Sequence, residues 1–348
     1  MNVTGYAARS PKEPLAPFRF ERRDPRPDDV VIEILYCGVC HSDIHNARGD
    51  WGGAKYPMVP GHEIVGRVER VGAKVTRLKA GDHVGVGCLV DSCQQCPSCG
   101  RGQENYCPDM VLTYNSTDRH DGMPTHGGYS QRIVVTEKFV VRIPDAIDLK
   151  GAAPLLCAGI TTWSPLQHWN VGKGTNLAMA GLGGLGHMAL KFGKALGANV
   201  TLFTRSPGKD ADARRLGADR VVLSTDAKQM DSVRGQFDLI IDTVPYVHDV
   251  NTYVPTLAVN GTLVLVGYLG PLEPALDTTP MVMRRKAVAG SLIGGIAETQ
   301  QMLDFCGEHG ITADVEVIDM AGINSAFERM LESDVKYRFV IDLATLKG

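Results

Sequence analysis

The sequence contains no apolar run approaching the roughly 20 residues that span a bilayer, and residues 1–10 carry no apolar stretch between a basic start and a small-residue cleavage site. A membrane span and a secretory leader are both excluded from this reading, which expects a cytoplasmic protein. Charge of one sign is equally scarce. The 36 Lys and Arg against 39 Asp and Glu leave a formal net charge of -3, which offers no basic field to a phosphate backbone or an anionic lipid surface. Nucleic acid is not an expected partner. Internal repeats and low-complexity tracts are missing as well, so repeat arrays and long disordered linkers do not enter the reading.

What is present has globular proportions, with 44% hydrophobic and 22% charged residues. At 348 residues the chain exceeds the roughly 250 to 300 at which one core usually stops growing, so two domains are expected. The first 150 residues hold short β-branched runs at 30–35, 64–71, 82–86 and 132–135, punctuated by Gly and Pro, a pattern of antiparallel, barrel-like structure. After Ile160 the pattern becomes strand, Gly-rich turn, helix, repeated: strand 176–180, helix 187–196, strand 199–204, then a helix through Arg215. Strands at 220–223, 239–242, 262–266 and 287–293 continue it, which predicts βαβ units and a parallel sheet. A helix is expected over 298–309 and a strand over 336–343.

Nine cysteines are an odd number, and four fall within one short segment, Cys93-x2-Cys96-x2-Cys99-x7-Cys107. Clustering of this kind in a reducing compartment points to metal ligation more than to a disulfide framework. Four thiolates satisfy the closed tetrahedron of a structural zinc. An iron-sulfur site and a pair of disulfides are the competing readings, although the fourth spacing is seven residues rather than the three of a bacterial ferredoxin run.

A second set of donors is dispersed: Cys40, the pair His62-Glu63, and Cys157. Singly they say little. Cys157 sits among apolar residues, as core cysteines do, and Cys37-x2-Cys40 has the form of a redox pair. The full string Gly61-His62-Glu63-x2-Gly66-x5-Gly72-x2-Val75, together with the four-cysteine loop, Cys157-Ala158-Gly159 and Gly181-x-Gly183-Gly184-x-Gly186, resembles the zinc-dependent medium-chain alcohol dehydrogenases. Residues 37–45, 56–63 and 336–342 are closest in wording to the cinnamyl alcohol dehydrogenase branch and its bacterial aldehyde reductase relatives.

The resemblance implies an α/β chain made of two parts. One is a GroES-like β-rich catalytic domain over residues 1–155 and 294–348, and the other a Rossmann doubly wound parallel-sheet domain over 156–293, with the active site in the cleft between them. It makes Cys40, His62 and Cys157 ligands of a catalytic zinc, with Glu63 as a neighbour able to ligate transiently, and leaves an open position for a substrate oxygen. On the chemistry of a ligating imidazole, Asp43 is read as an acceptor for the His62 ring N–H, with an ordinary turn or cap residue as the alternative. Ser42 becomes a hydrogen-bond partner of the substrate oxygen, and His45 an outward proton carrier. Two zinc ions per chain and a homodimer are implied, the dimer through the apolar edge at 287–293, which would otherwise leave backbone groups unpaired. A non-catalytic zinc-binding member of the same fold, and a zinc-free quinone reductase, are the alternatives. The simultaneous presence of Ser42, His45 and every metal donor opposes both.

For the cofactor, the glycine turn Gly181, Gly183, Gly184, Leu185 and Gly186 opens a helix directly after a strand, where a pyrophosphate meets backbone amides. An NAD-selective site places an acid about 20 residues further on. None is present: the next strand ends Thr204-Arg205-Ser206, with Lys209 beyond it. Hydroxyls and a guanidinium suit a 2'-phosphate, so NADP(H) is expected. The resemblance adds Thr162, Thr243, Val266, Ser291 and Ile293 as cofactor contacts and Arg338 as a phosphate partner. Trp51, Met58, Leu112 and Trp163 are the expected substrate-pocket residues. Plant cinnamyl alcohol dehydrogenases commonly carry a tryptophan where Leu112 precedes Thr113-Tyr114-Asn115, which argues for broad aromatic and aliphatic aldehyde acceptance.

Overall fold

The computed structural model describes residues 1–346; Lys347 and Gly348, the end of the expected catalytic segment, lie outside them. The chain divides into two compact units, one of Met1–Ile160 with the stretch from Gly294 onward, the other Thr161–Ile293. The first boundary falls after Ile160 rather than after residue 155. The reason is local packing: a Cβ on Gly159 would meet Leu155 and Met302, both in the first unit. No helix among the described residues is long and apolar enough to cross a membrane.

The first unit is organised by one long strand, Asp29–Val39, which is buried over most of its length. Its alternation of Val, Ile and Leu gives it two apolar faces, and it therefore lies inside the sheet rather than at an edge. The strand order is Val315–Asp319, Arg338–Asp342, Asp29–Val39, Ile64–Val71, His83–Val86 and Val141–Arg142, with Arg132–Thr136 also pairing to the long strand. All pairs are antiparallel except the first. Two of these pairings matter for chemistry. The register sets Phe339 opposite Val39 and Ile64 opposite Cys37, so the ends of three strands that are remote in sequence meet beside Cys40.

In the second unit six parallel strands, Asn176–Ala180, Asn199–Thr204, Arg220–Leu223, Phe237–Asp242, Leu257–Leu265 and Ala287–Gly290, are arranged 3-2-1-4-5-6 by their order in the chain. Phe203, Phe237, Ile240, Val254 and Leu263 form the centre of its core on one face. The first and fourth strands lie side by side, and at that point the order reverses, leaving a crevice at their carboxyl ends. The last strand stops at Gly290 rather than at residue 293. Ser291 N–H still bonds to the Leu265 carbonyl at 3.2 Å, but Ile293 takes a left-handed φ of 38° and leaves the strand direction. The C-terminal strand is likewise shorter than expected, Arg338–Asp342.

The long strand starts from a buried charge. Asp29 is fully buried and accepts hydrogen bonds from the Arg23 guanidinium, from the Arg26 backbone N–H at 2.7 Å and from the Arg26 guanidinium at 2.9 Å. Burial alone would raise the Asp29 carboxyl; the hydrogen bonds from Arg23 and Arg26 overcome it and hold the group at about 2. A carboxyl depressed in the folded state stabilises the fold above its unfolded value, and that contribution disappears as the pH falls through the folded one. Asp29→Asn is therefore expected to cost about 3 kcal/mol, in the range for breaking a buried ion pair, measured by urea unfolding at neutral pH. The variant should also lose less stability than the parent as the pH is lowered below about 4.

Candidate metal and nucleotide sites

The long strand ends at Val39, and Cys40 caps the short helix His41–Arg48 that follows. Asp43, in the first turn of that helix, is fully buried and carries four donors, two on each oxygen. Oδ2 accepts from Cys40 N–H at 2.9 Å and the Tyr129 hydroxyl at 3.1 Å. Oδ1 accepts from Gly61 N–H at 3.0 Å and His62 Nδ1 at 3.1 Å. Because a carboxylate only accepts, His62 carries its proton on Nδ1 and directs Nε2 at the neighbouring thiols. Burial opposes charge on His62, but Asp43 and the thiols more than offset it and push the imidazole well up.

Cys40, His62, Glu63 and Cys157 bring one ligand atom each within 4.8 Å of one another, and all four are buried. The hydrogen bond from Cys157 outweighs burial and, with Arg338 and His62 nearby, holds the Cys40 thiol well below its ordinary range, while the hydrogen bonds with Cys40 and Cys88 and burial push the Cys157 thiol well up. Two sulfurs, a nitrogen and a carboxylate oxygen are the donor set of an open zinc site. A buried polar atom without a partner fits the same ion. Glu63 is fully buried, one of its oxygens meets the Arg338 guanidinium, and Oε2 makes no hydrogen bond among the described residues. Burial pushes this carboxyl up to about 8 against the opposing pull of Arg338. Gly38 makes room for it, since a Cβ there would lie 1.9 Å from Glu63 Oε2.

Arg338, expected as a phosphate partner, lies in the first unit. The pairing of Arg338–Asp342 with Asp29–Val39 brings it beside Cys40, where it is 3% exposed and engaged by Glu63. Cys88 joins the thiol group through a hydrogen bond with Cys157, which lowers the Cys88 thiol; sequence spacing gave no sign of it. Ser42 Oγ lies 3.7 Å from Cys40 Sγ. His45 is placed further out, with Nδ1 on Asp50 Oδ2 at 2.8 Å and its ring stacked on Trp51 at 5.1 Å. Asp50 lies beyond the Gly49 cap that ends the helix, so helical spacing gave no sign of it. Of the expected pocket residues, Trp51 and Leu112 are exposed, whereas Met58 and Trp163 are buried in core packing, Trp163 edge-on to Phe192.

In the four-cysteine loop the sulfurs of Cys93, Cys96, Cys99 and Cys107 also lie within 4.8 Å of one another. Cys93 to Cys99 is 3.9 Å and Cys96 to Cys99 is 3.5 Å, close to the roughly 3.8 Å edge of a tetrahedron with Zn–S bonds of about 2.3 Å. None of the nine cysteines, all of them among the described residues, forms a disulfide, so the disulfide reading is not realised. Backbone N–H groups point at the sulfurs, Cys96 N at Cys93 Sγ (3.3 Å) and both Cys93 N and Asp109 N at Cys107 Sγ (3.4 Å each). Backbone hydrogen bonds from Gln95 and Cys96 bring the Cys93 thiol down to about 6. Such amide donors stabilise thiolates, the form that binds metal.

At the crevice of the second unit, Gly181 has φ 93° and turns the chain sharply after its strand. A Cβ on Gly186 would lie 2.1 Å from the Gly181 carbonyl oxygen, so the first turn of helix Gly186–Ala195 can close only on glycine. Gly183 has open space around it, as a residue approached by a pyrophosphate must; Gly184 and Leu185 complete the turn. Thr243 Oγ1 donates to the Ala180 carbonyl at 2.7 Å, tying the fourth strand's exit to the first. Thr204 is buried and its hydroxyl accepts from Ser206 N–H at 3.1 Å, while Arg205 and Ser206 are exposed. Lys209 Nζ reaches the Leu182 carbonyl at 2.9 Å, a contact that places it over the glycine turn. Thr162 is buried in helix Ala158–His168, and Val266 N–H bonds to the Asp242 carbonyl at 3.0 Å.

Sequence comparison agrees with this geometry. Residues 26–145 match the alcohol dehydrogenase GroES-like domain and residues 184–308 the zinc-binding dehydrogenase domain. The chain is 53% identical over 346 residues to NADP-dependent alcohol dehydrogenase C of Mycobacterium tuberculosis, covering 99% of both chains. It is 52% identical to aldehyde reductase YahK of Escherichia coli, again over 99% of each. Among solved structures, a cinnamyl alcohol dehydrogenase of Sorghum bicolor, SbCAD4, superposes with a TM-score of 0.95 at 49% identity, over 99% of this chain and 98% of that one.

The Asp43 contacts generate a prediction. In Asp43→Asn one acceptor oxygen becomes an NH2 group facing donors, so the Cys40 and His62 segments lose half of their shared anchor. Metal at the Cys40 site should be stripped by a chelator at about 10- to 100-fold lower concentration, while metal in the four-cysteine loop is retained. Loss of both metals in parallel would show general unfolding instead.

Proposed function

Since this chain belongs to the zinc-binding alcohol dehydrogenases, we propose that it interconverts aldehydes and primary alcohols with NADP(H), holding one zinc among Cys40, His62 and Cys157 with Glu63 in reserve, and a second among Cys93, Cys96, Cys99 and Cys107. The observation that carries the reading is the buried donor set of two sulfurs, an imidazole and a carboxylate with an unpartnered Glu63 oxygen, with Ser42 Oγ 3.7 Å from Cys40 Sγ. When bound, the open-site zinc supplies Lewis acidity to a carbonyl oxygen and the nicotinamide supplies the hydride. The chain's own residues do the rest. Ser42 hydrogen-bonds the substrate oxygen from the first turn of the helix that Cys40 caps. His45, with Nδ1 committed to Asp50, uses Nε2 to exchange the proton with solvent. The four-cysteine zinc has no free position and serves to fix its loop.

The preference for NADP(H) follows from the absent acid at the end of strand Asn199–Thr204 and the exposed Arg205 and Ser206 that stand there. The M. tuberculosis relative, named as NADP-dependent, supports it. Broad acceptance of aromatic and aliphatic aldehydes follows from Leu112, which opens the place of a bulky ring, and from Trp51 stacked on His45.

Assembly is read from the sheet edge. Among the described residues Ala287–Gly290 has a neighbour on one side only, and Val282, Met283 and Leu292 beside it in sequence are exposed. Pairing this edge with its copy in a second chain satisfies the backbone and covers the apolar side chains.

Three experiments test these assignments. NADPH oxidation is followed with benzaldehyde, cinnamaldehyde and a medium-chain aliphatic aldehyde; all three should turn over, and NADH should serve far less well. Arg205→Ala should raise the NADPH KM by roughly 10- to 100-fold, the size of a lost charge-assisted hydrogen bond, with little change for NADH. Activity confined to cinnamaldehyde, or equal use of NADH by the parent, would refute the substrate and cofactor assignments respectively. Sedimentation equilibrium at micromolar concentration should give twice the chain mass, and a monomer would remove the edge-pairing proposal.

A further inference from the structure

The loop that leaves the fourth strand of the second unit is closed on itself by a buried carboxylate. Asp242 is the last residue of strand Phe237–Asp242 and is 1% exposed. Its Oδ1 accepts from Val244 N–H at 3.1 Å and its Oδ2 meets His248 Nε2 at 2.7 Å. The other ring nitrogen, His248 Nδ1, lies 2.8 Å from the Tyr246 carbonyl oxygen. A carbonyl and a carboxylate both only accept, so both ring nitrogens must donate. Only the imidazolium has two N–H donors; either neutral tautomer would aim a lone pair at an oxygen.

The surroundings agree with a charged ring. Burial disfavours the charge, but Asp242, the Tyr246 carbonyl and Asp249 outweigh it, so the imidazole is shifted upward. Tyr253 packs against the ring with centroids 6.1 Å apart, and Arg205 acts on the same tyrosine from the loop after strand Asn199–Thr204. The loop that the pair closes begins with Thr243, whose hydroxyl bonds to the Ala180 carbonyl at 2.7 Å and to that of Gly181 at 3.3 Å. A Cβ on Gly267 would meet the Thr243 backbone at 2.4 Å, so the adjacent strand exit is packed directly on this loop. The clasp therefore stands at the crevice where the strand order reverses, and its first residue is bonded to the glycine turn.

We propose that His248 is a positioning residue for the dinucleotide: as an imidazolium it clasps residues 242–248 against the glycine turn, and loss of its proton loosens the loop and weakens cofactor binding. The proposal rests on the reading of this crevice as the NADP(H) site. The sign follows from linkage. A histidine favoured as the cation in the folded state gives its full contribution below the ordinary imidazole value and loses it as the pH rises through the raised one.

The test is equilibrium binding of NADPH and of NADH, followed by nicotinamide fluorescence from about pH 6.5 to about pH 9, where the 2'-phosphate is already mostly ionised. For the unmodified protein both dissociation constants should rise several-fold over the upper half of the range, in parallel, because the clasp does not read the 2'-phosphate. His248→Gln keeps one donor for Asp242 and cannot titrate, so its binding should lie between the two limits and lose this slope. His248→Ala should bind weakly at every pH. Nitrogen-15 NMR of the unmodified, cofactor-free protein should show His248 with both ring nitrogens protonated near pH 7, a readout that survives if a variant fails to fold. A neutral His248 ring, or an unchanged pH slope in a folded His248→Gln, overturns the clasp. A folded parent protein that binds neither nucleotide overturns the site assignment itself, and the clasp's role with it, whatever the NMR shows.

Discussion

The chemistry of the first unit depends on one carboxylate. Asp43 gathers donors from three stretches of chain, the Cys40 turn, the Gly61-His62 turn and Tyr129, and fills both oxygens in doing so. A fully buried carboxylate is costly unless every lone pair is used, and here the hydrogen bonds that satisfy it also orient the metal donors. His62 receives its tautomer from Asp43, and Cys40 receives its backbone position. The long strand Asp29–Val39 delivers both ends of this arrangement: Asp29, paired with Arg23 and Arg26, fixes its start, and Cys40 follows its end.

The second unit applies the same logic at Asp242. That carboxylate ends a strand, is buried, and organises a loop through a backbone N–H and an imidazole. In each unit a buried acid at a strand or helix terminus fixes a histidine: in the first it leaves a ring nitrogen free to ligate, in the second it leaves none. The different outcomes come from the second partner. His62 Nε2 faces thiols, whereas His248 Nδ1 faces a carbonyl.

Features carried by contiguous sequence were legible before the fold. The four-cysteine spacing, the glycine turn with its flanking strand and helix, and the acid-free end of the second nucleotide strand each lie within a few residues, where local geometry decides the outcome. Asp43 as the partner of His62 was also readable, because a ligating imidazole needs an acceptor for its other ring nitrogen. What escaped were contacts made by strand register. Arg338 reaches Glu63 because two strands from opposite ends of the chain pair antiparallel, and nothing in the spacing announces that. Cys88 beside Cys157, Tyr129 on Asp43 and His248 on Asp242 escaped in the same way, since each depends on where a turn aims a side chain. Met58 and Trp163 show the converse: residue type suggested a pocket, and packing put them in the core.

The central claim is that two chemically distinct zinc sites coexist, one closed by four sulfurs and one left open by Asp43-oriented donors. Anomalous diffraction from crystals of the purified protein, collected on both sides of the zinc absorption edge, tests it most directly. The account predicts two zinc peaks per chain, one enclosed by Cys93, Cys96, Cys99 and Cys107 and the other between Cys40, His62 and Cys157. Zinc confined to the four-cysteine loop in metal-replete protein, with the Cys40 cluster empty, would contradict it.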